Sequence, residues 1–254
     1  MIDHASKAQT FHSLHVKGHP VVLYNIWDPG SAKAVAAAGA QALATGSAPV
    51  AMAFGYADGE QIPIDTAIDN IRRIVASTDL PVTVDLEGGY GVPPETVATS
   101  IARAMEVGAI GFNFEDQVIG GSGLHDLAVQ VPRLEAACRI AEEVGAFVNA
   151  RTDIFLKAPR DRHDRAMLDQ AVERAKAYEQ AGAHGFFAPG LADEALIGAL
   201  CAAVALPVNI IALPGVPPRP RLAELGVARI SYGSVPWKQM MVWLETQARE
   251  AIAD

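Results

Sequence analysis

The sequence predicts an α/β fold, a (β/α)8 TIM barrel formed by residues 1–254 as a single domain. Three observations lead there. The chain has 254 residues, close to what such a barrel needs. Eight short apolar runs recur, at 21–25, 42–45, 82–85, 110–115, 147–150, 185–188, 208–212 and 229–232. Most of these runs follow one of two helix-stopping marks.

The first mark is an apolar residue, glycine, then Ala or Val, as in Ala38-Gly39-Ala40, Val107-Gly108-Ala109, Val144-Gly145-Ala146, Ala181-Gly182-Ala183 and Leu225-Gly226-Val227. Glycine enters the left-handed conformation that ends a helix without a steric penalty. The second mark is proline before valine, at His19-Pro20-Val21, Leu80-Pro81-Val82 and Leu206-Pro207-Val208. Proline cannot continue a helix and suits a strand start. The runs are of strand length, and their near-continuous apolar character fits a parallel sheet covered by helices. Between them, Ile64, Ile68, Ile71 and Val75 keep a helical spacing, as do Val97, Ile101 and Met105, and Leu168, Val172, Ala175 and Tyr178. Pro29 and Pro94 sit where a first helical turn starts, with Asp28 a natural N-cap. An open doubly wound sheet is the competing architecture, but no G-x-G-x-x-G follows the first run.

Half the residues are hydrophobic and the formal net charge is −9, with no basic run. A nucleic-acid partner would need a Lys/Arg stripe, so that class is set aside. An anionic substrate would have to meet local positive charge. Residues 1–19 lack an apolar signal core, and the most apolar stretch, 199–216, is broken by Pro207, Asn209 and Pro214, so no membrane span is expected. Cys138 and Cys201 lie in alanine-rich helical stretches and read as buried thiols, which fits a cytoplasmic protein.

Barrel chemistry sits where strands end. The strand ends read Asn25-Ile26-Trp27-Asp28, Thr45-Gly46-Ser47, Asp85-Leu86-Glu87, Glu115-Asp116-Gln117 and Arg151-Thr152-Asp153. Asp85, Glu87 and Glu115 should therefore crowd one side of the mouth, since neighbouring strands lie ~4.8 Å apart. Two carboxylates at ~4 Å repel by about 4 kcal/mol at an effective dielectric near 20. Protons or a cation must neutralise them, and an all-oxygen set favours Mg²⁺, with Mn²⁺ as the alternative. Asp116 reads as a cap or a support. The fork of Arg151 suits a substrate carboxylate, or else pairs with one of the acids. Gly88, Gly89 and Gly91 allow a tight turn near a ligand, and Gly46 and Ser47 could offer backbone N–H groups to an oxyanion. His12, His15 and His19 read as solvated side chains rather than metal ligands. The glycine-rich segment 118–126, with Ser122 and His125, reads as a mobile lid.

These residues resemble the isocitrate lyase/phosphoenolpyruvate mutase superfamily over nearly the whole chain. Asn25-Ile26-Trp27-Asp28-Pro29-Gly30-Ser31-Ala32 looks like its first-strand motif. Asp85-x-Glu87-x-Gly89-Tyr90-Gly91 is similar to its D-x-D-x-G-[YF]-G signature, and Glu115-Asp116-Gln117 and Ala150-Arg151-Thr152-Asp153 follow in register. The resemblance implies a last helix swapped between subunits of a homotetramer. It implies Mg²⁺ held by Asp85, Glu87 and Glu115, and a small anionic 2-oxo carboxylate held by the metal, by Gly46–Ser47 and by Arg151. The strand-end residues Trp27, Asp28 and Thr45 join the substrate-binding candidates, and Asp58 aligns with a functional aspartate. Two departures stand out. Glu87 replaces an aspartate. The lyase lid motif K-[KR]-C-G-H is absent, with Gly123 at its cysteine, and the Lys/Asn lid of the phosphonopyruvate enzymes is missing too. The sequence thus points to a Mg²⁺-dependent C–C lyase or decarboxylase acting on an oxaloacetate-like acid through an enolate. A phosphonopyruvate-type P–C mutase or hydrolase, and a non-catalytic barrel that binds 2-oxo acids, are the competing readings.

Overall fold

The computed structural model describes residues 4–253. Helix α1 (His4–Ser13) precedes β1 (Val21–Leu23), α2 (Pro29–Ala37), β2 (Leu43–Ala44), α3 (Ser47–Ala53) and α4 (Ile64–Ala76). Then come β3 (Val82–Asp85), α5 (Pro94–Glu106), β4 (Gly111–Glu115), α6 (Leu127–Val144) and β5 (Phe147–Arg151). A 3-10 turn (Arg160–Arg162) leads to α7 (Arg165–Gln180), β6 (Gly185–Phe187), α8 (Glu194–Ala203) and β7 (Val208–Ile211). The described chain ends with α9 (Arg219–Glu224), β8 (Arg229–Ser231) and α10 (Val235–Ala253).

All eight expected runs hold a strand. The sheet order is β1-β8-β7-β6-β5-β4-β3-β2, every pairing parallel. The remaining seam closes just beyond β1. The Ile26 N–H donates to the Ala44 carbonyl at 2.9 Å, and the Gly46 N–H donates to the Ile26 carbonyl at 3.2 Å. The result is the (β/α)8 TIM barrel. The punctuating glycines 39, 108, 145, 182 and 226 all take left-handed φ, between 69° and 99°. Asp28 caps α2 through a reciprocal box with Ser31.

Side chains alternate along each strand. In β4, Phe112 and Phe114 enter the core between sheet and helices, while Asn113 and Glu115 face the lumen. The lower lumen is apolar and plugged by α1. Phe11, fully buried, meets Phe147 edge-on at 5.5 Å among Val21, Leu23 and Ala44. This plug overturns the expectation of solvated histidines. His15 is buried, stacks on Phe147 at 4.0 Å and bonds the Phe11 carbonyl through Nδ1, because its ring is part of the apolar seal. His12 is half-buried against Phe147 and His184, and only His19 is exposed. Among the described residues no helix is long and apolar enough to cross a membrane. The last helix is unlike the others: of α10 only Pro236 is buried, while Val242, Trp243 and Leu244 are exposed.

Candidate active site

A cavity of about 220 Å³ opens at the C-terminal end of the strands, a size that suits a small acid. Asp58 and Asp85 line one side and Arg151 another, with Ser47 and Asn113 between the elements. A larger cleft of about 530 Å³ lies at the opposite end, beside His12, Cys138 and Glu142. It is remote from the acids, and that end of a barrel serves stability, so the smaller cavity is the candidate site.

Asp85 ends β3. The Thr45 hydroxyl oxygen accepts its backbone N–H at 2.9 Å, and its carboxylate receives long contacts from the N–H groups of Ser47 and Glu87, each 3.4 Å. Asp85 thus keeps a weakly engaged carboxylate in the cavity wall. Asp58 stands nearby at the exposed rim, where partial desolvation and then the Asp85 charge raise its pKa. Glu87 is buried, and burial followed by the charges of Asp58, Asp85 and Glu115 pushes its pKa up to about 9. The expected crowding of acids is therefore physical.

Their side chains nevertheless diverge. Glu87 Oε2 accepts the N–H groups of Gly59 (2.9 Å) and Glu60 (3.0 Å), and Glu60 Oε1 accepts the Tyr90 N–H at 2.8 Å. Glu60, Glu87 and Tyr90 are the described non-glycine residues with left-handed φ, at 57°, 51° and 59°. Such strain persists only where surrounding bonds over-determine it, and here those bonds tie the Asp58 loop to the end of β3. Glu115 is fully buried. Its Oε2 meets Arg151 Nη1 at 2.7 Å and its Oε1 accepts from the Gln117 amide. Burial raises its pKa against the pull of Arg151. Among the described residues no three acids, histidines or cysteines converge as a ready-made metal group. Of these acids Asp85 has the carboxylate best placed to hold Mg²⁺, since Glu87 and Glu115 are already engaged by protein partners.

Arg151 carries both readings made from sequence. Its Nε and Nη2 hold Asp153 at 2.6 and 2.9 Å, and Nη1 holds Glu115. Burial alone would lower its pKa, but the Glu115 and Asp153 charges raise it well above the ordinary value, so it stays cationic. Three of its five N–H donors are engaged. Two remain for a ligand in the cavity that it lines. Asp153 is anchored in turn. Its N–H donates to Asp116 Oδ1 at 3.0 Å, and the buried Asp116 carboxylate also accepts from Tyr178 (2.7 Å) and Arg174 (3.1 Å). Asp116 is thus a support and not a ligand.

Several expected substrate contacts lie outside the cavity. Asp28 is occupied as the α2 cap. Trp27 packs beside Val50 and Ile62 and faces an apolar hollow next to Met240 and Trp243, because its strand has already left the lumen. Thr45 props Asp85 from a separate crevice. The Gly46 N–H is taken by the barrel seam, which leaves Ser47 as the backbone donor facing the acids. The glycines of 88–91 accommodate protein rather than a ligand: a side chain at Gly89 would strike Phe114 and Val97, and one at Gly91 would strike Thr96. Ser122 is exposed and His125 half-buried, in a turn closed by the Gln117–Leu124 bridge, and neither lines the cavity. Sequence reasoning passed over Asn113, Asn149, Glu60 and Arg229, and quoted Asp153 at its strand end without giving it a role. For three of them a signal existed: lone polar residues at inward positions of otherwise apolar strands.

Comparison with known proteins identifies relatives of the chain. The family model for phosphoenolpyruvate phosphomutase matches residues 11–252. A crystal structure of a Burkholderia cenocepacia protein provisionally assigned as a phosphonomutase is 47% identical, with a TM-score of 0.96, covering 98% of this chain and 100% of that one. An uncharacterized Mycobacterium tuberculosis protein is 34% identical over 96% of this chain and 89% of its own length. The 2-methylisocitrate lyase of Escherichia coli is 28% identical over 80% of this chain and 69% of that enzyme.

Proposed function

Because the chain belongs to the phosphoenolpyruvate phosphomutase family, within the isocitrate lyase/phosphoenolpyruvate mutase superfamily of lyases and mutases, we propose that it is a Mg²⁺-dependent C–C lyase or decarboxylase. Its substrate is a small oxaloacetate-like 2-oxo carboxylate, cleaved through an enolate. The observation that carries this reading is a small cavity with acids on one wall and a fixed guanidinium on the other. An anionic substrate fits between them only if the acids are neutralised, and a cation does this for Asp85, whose carboxylate is weakly engaged. Asp85 would hold that cation, with Asp58, Glu87 and Glu115 as the acids around it. Mg²⁺, or Mn²⁺ in its place, would supply Lewis-acid polarisation of the 2-oxo oxygen when bound.

The chain's own groups do the rest. Arg151, oriented by Asp153 and Glu115, presents its two remaining N–H donors to the substrate carboxylate. The Ser47 N–H, which makes only a long 3.4 Å contact to Asp85, would donate to the oxygen where negative charge develops as the bond one carbon from the carbonyl breaks. A decarboxylation needs no base to begin, since CO₂ leaves as its electrons pass into the carbonyl, and the resulting enolate then takes one proton at carbon, from water. That suits a cavity lined by neither a cysteine nor the lid residues Ser122 and His125. We place the activity in the cytoplasm, where the buried free thiols of Cys138 and Cys201 stay reduced.

The second reading, phosphonopyruvate P–C chemistry, draws on the name of the family and of the Burkholderia structure. One turnover screen separates them: 2-oxo and 2-hydroxy di- and tricarboxylates plus phosphonopyruvate, each with Mg²⁺ and with EDTA. EDTA-sensitive CO₂ or 2-oxo acid product from a carboxylate supports the proposal. Phosphate release from phosphonopyruvate alone replaces it with the second reading, and no turnover of any compound favours a barrel that only binds.

A further inference from the structure

Beneath the cavity lies a polar layer that the reading above does not use. Asn113 sits mid-strand in β4 and faces the lumen, in register with Asp85 on one side and Asn149 on the other. Its Oδ1 accepts two hydrogen bonds, from Asn149 Nδ2 at 2.9 Å and from Arg229 Nη2 at 3.3 Å. All three residues are buried. An amide can point either way round, but a guanidinium has donors only, so the atom facing Arg229 must be the oxygen. The NH₂ group of Asn113 then faces away from Arg229. Asn113 lines the cavity, and its Nδ2 is not among the buried unpaired polar atoms. It makes no hydrogen bond to a described residue. It is a donor open to the cavity, between the acid wall and Arg151.

Arg229 is unusual in itself. It is fully buried above the Phe11 ring, forms no ion pair among the described residues, and leaves Nε and Nη1 unpaired. Burial of a guanidinium without a carboxylate is costly, so such a group persists where something else depends on it. Here it fixes the amide of Asn113 and places a positive charge under the cavity floor.

We propose that Asn113 is a substrate-contacting residue whose amide N–H groups bind an oxygen of a small 2-oxo carboxylate, and that Arg229 is the positioning residue that sets this orientation from below. The inference rests on the substrate class proposed above. It explains how a chain of net charge −9 presents donors and no further acid on this part of the wall.

The test is calorimetric titration of oxalate in the presence of Mg²⁺, with thermal melting as a control for folding. Asn113→Asp keeps an oxygen toward Asn149 and Arg229 and replaces the donor by an acceptor. Asn113→Ala removes the donor without adding charge. Both are expected to weaken oxalate by at least about 10-fold, the scale of one lost hydrogen bond to a charged group. Asn113→Ala should leave Mg²⁺ affinity, measured alone, within twofold. Arg229→Gln should weaken oxalate in the wild-type background and cost nothing further in the Asn113→Ala background, a coupling that a merely structural role would not give. Folded Asn113→Asp or Asn113→Ala protein that binds oxalate within twofold of wild type overturns the proposal. Wild-type protein that binds no oxalate overturns it together with the substrate class. If the Asn113 variants lose oxalate binding while the wild type turns over no 2-oxo acid, the contact stands and only the activity falls.

Discussion

Arg151 shows how one side chain reconciles two roles. Asp153 holds it side-on and Glu115 holds Nη1, so its position is fixed before any ligand arrives. Lysine could replace its charge but not this three-point hold. Arg151→Lys is therefore expected to lower kcat/KM by ~10²-fold or more, whereas Ser122→Ala and His125→Ala, which lie off the cavity, should cost only a few-fold. Steady-state kinetics on the best substrate decides this, and a lid variant as damaging as the arginine change would mean that the lid supplies an acid or base. Asp85→Ala should abolish Mg²⁺ binding in a folded protein, and unchanged calorimetric affinity would move the metal elsewhere. His15 makes a different prediction. Burial, then the nearby Arg229 charge, lowers its pKa from 6.5 to about 3. Between these values the unfolded chain binds the proton and the folded one does not. The stability it contributes is complete above about pH 6.5 and is lost as pH falls toward 3, at no more than about 1.4 kcal/mol per pH unit. Urea unfolding should show lower stability at pH 5 than at pH 7, and His15→Leu should flatten that difference. An equal slope in the variant would assign the pH effect to other groups.

At the scale of elements, α1 and the segment after β4 do opposite things. Helix α1 closes the lower lumen with Phe11, and truncating a fully buried phenylalanine costs about 3–5 kcal/mol. Phe11→Ala should therefore lower the urea midpoint strongly, and a loss below 1 kcal/mol would show that α1 is dispensable to the barrel. The segment 118–126 is pinned at its ends by the Gln117–Leu124 bridge and by Arg174, which donates to the His125 carbonyl. Its tip, Gly120 to Gly123, is exposed. Hydrogen exchange at that tip is expected to slow when oxalate and Mg²⁺ are added. Exchange that ignores saturating ligand would leave this segment an ordinary surface turn.

For the whole molecule, the open question is what covers α10. A 19-residue helix with only Pro236 buried, showing Val242, Trp243 and Leu244 to solvent, leaves more apolar surface than an isolated barrel normally tolerates. We expect a second subunit to receive this helix, as the sequence resemblance implies, within a homotetramer. Sedimentation should give four copies per particle, and Val242→Asp with Leu244→Asp should reduce that mass. A wild-type monomer would sink the expectation.

The sequence by itself determined the eight strands, their order and the chain positions of the strand ends. The signals involved are local: left-handed glycines after helices, prolines before strands and the apolar period all act within a few residues. Asp85 and Arg151 were legible for the same reason, since a strand end in a barrel has one destination, whereas Asp58, on the loop between α3 and α4, came only from the family resemblance. What a side chain does after arriving depends on neighbours far away in the chain, and that only the tertiary structure decided. Glu87 turned to the amides of Gly59 and Glu60, and the Gly46 N–H went to the barrel seam. Trp27 left the lumen, and His15 became part of a seal. The orientation of Asn113 depends on Arg229, 116 residues away in sequence, because a hydrogen bond is settled by whichever donor the closed barrel brings within reach.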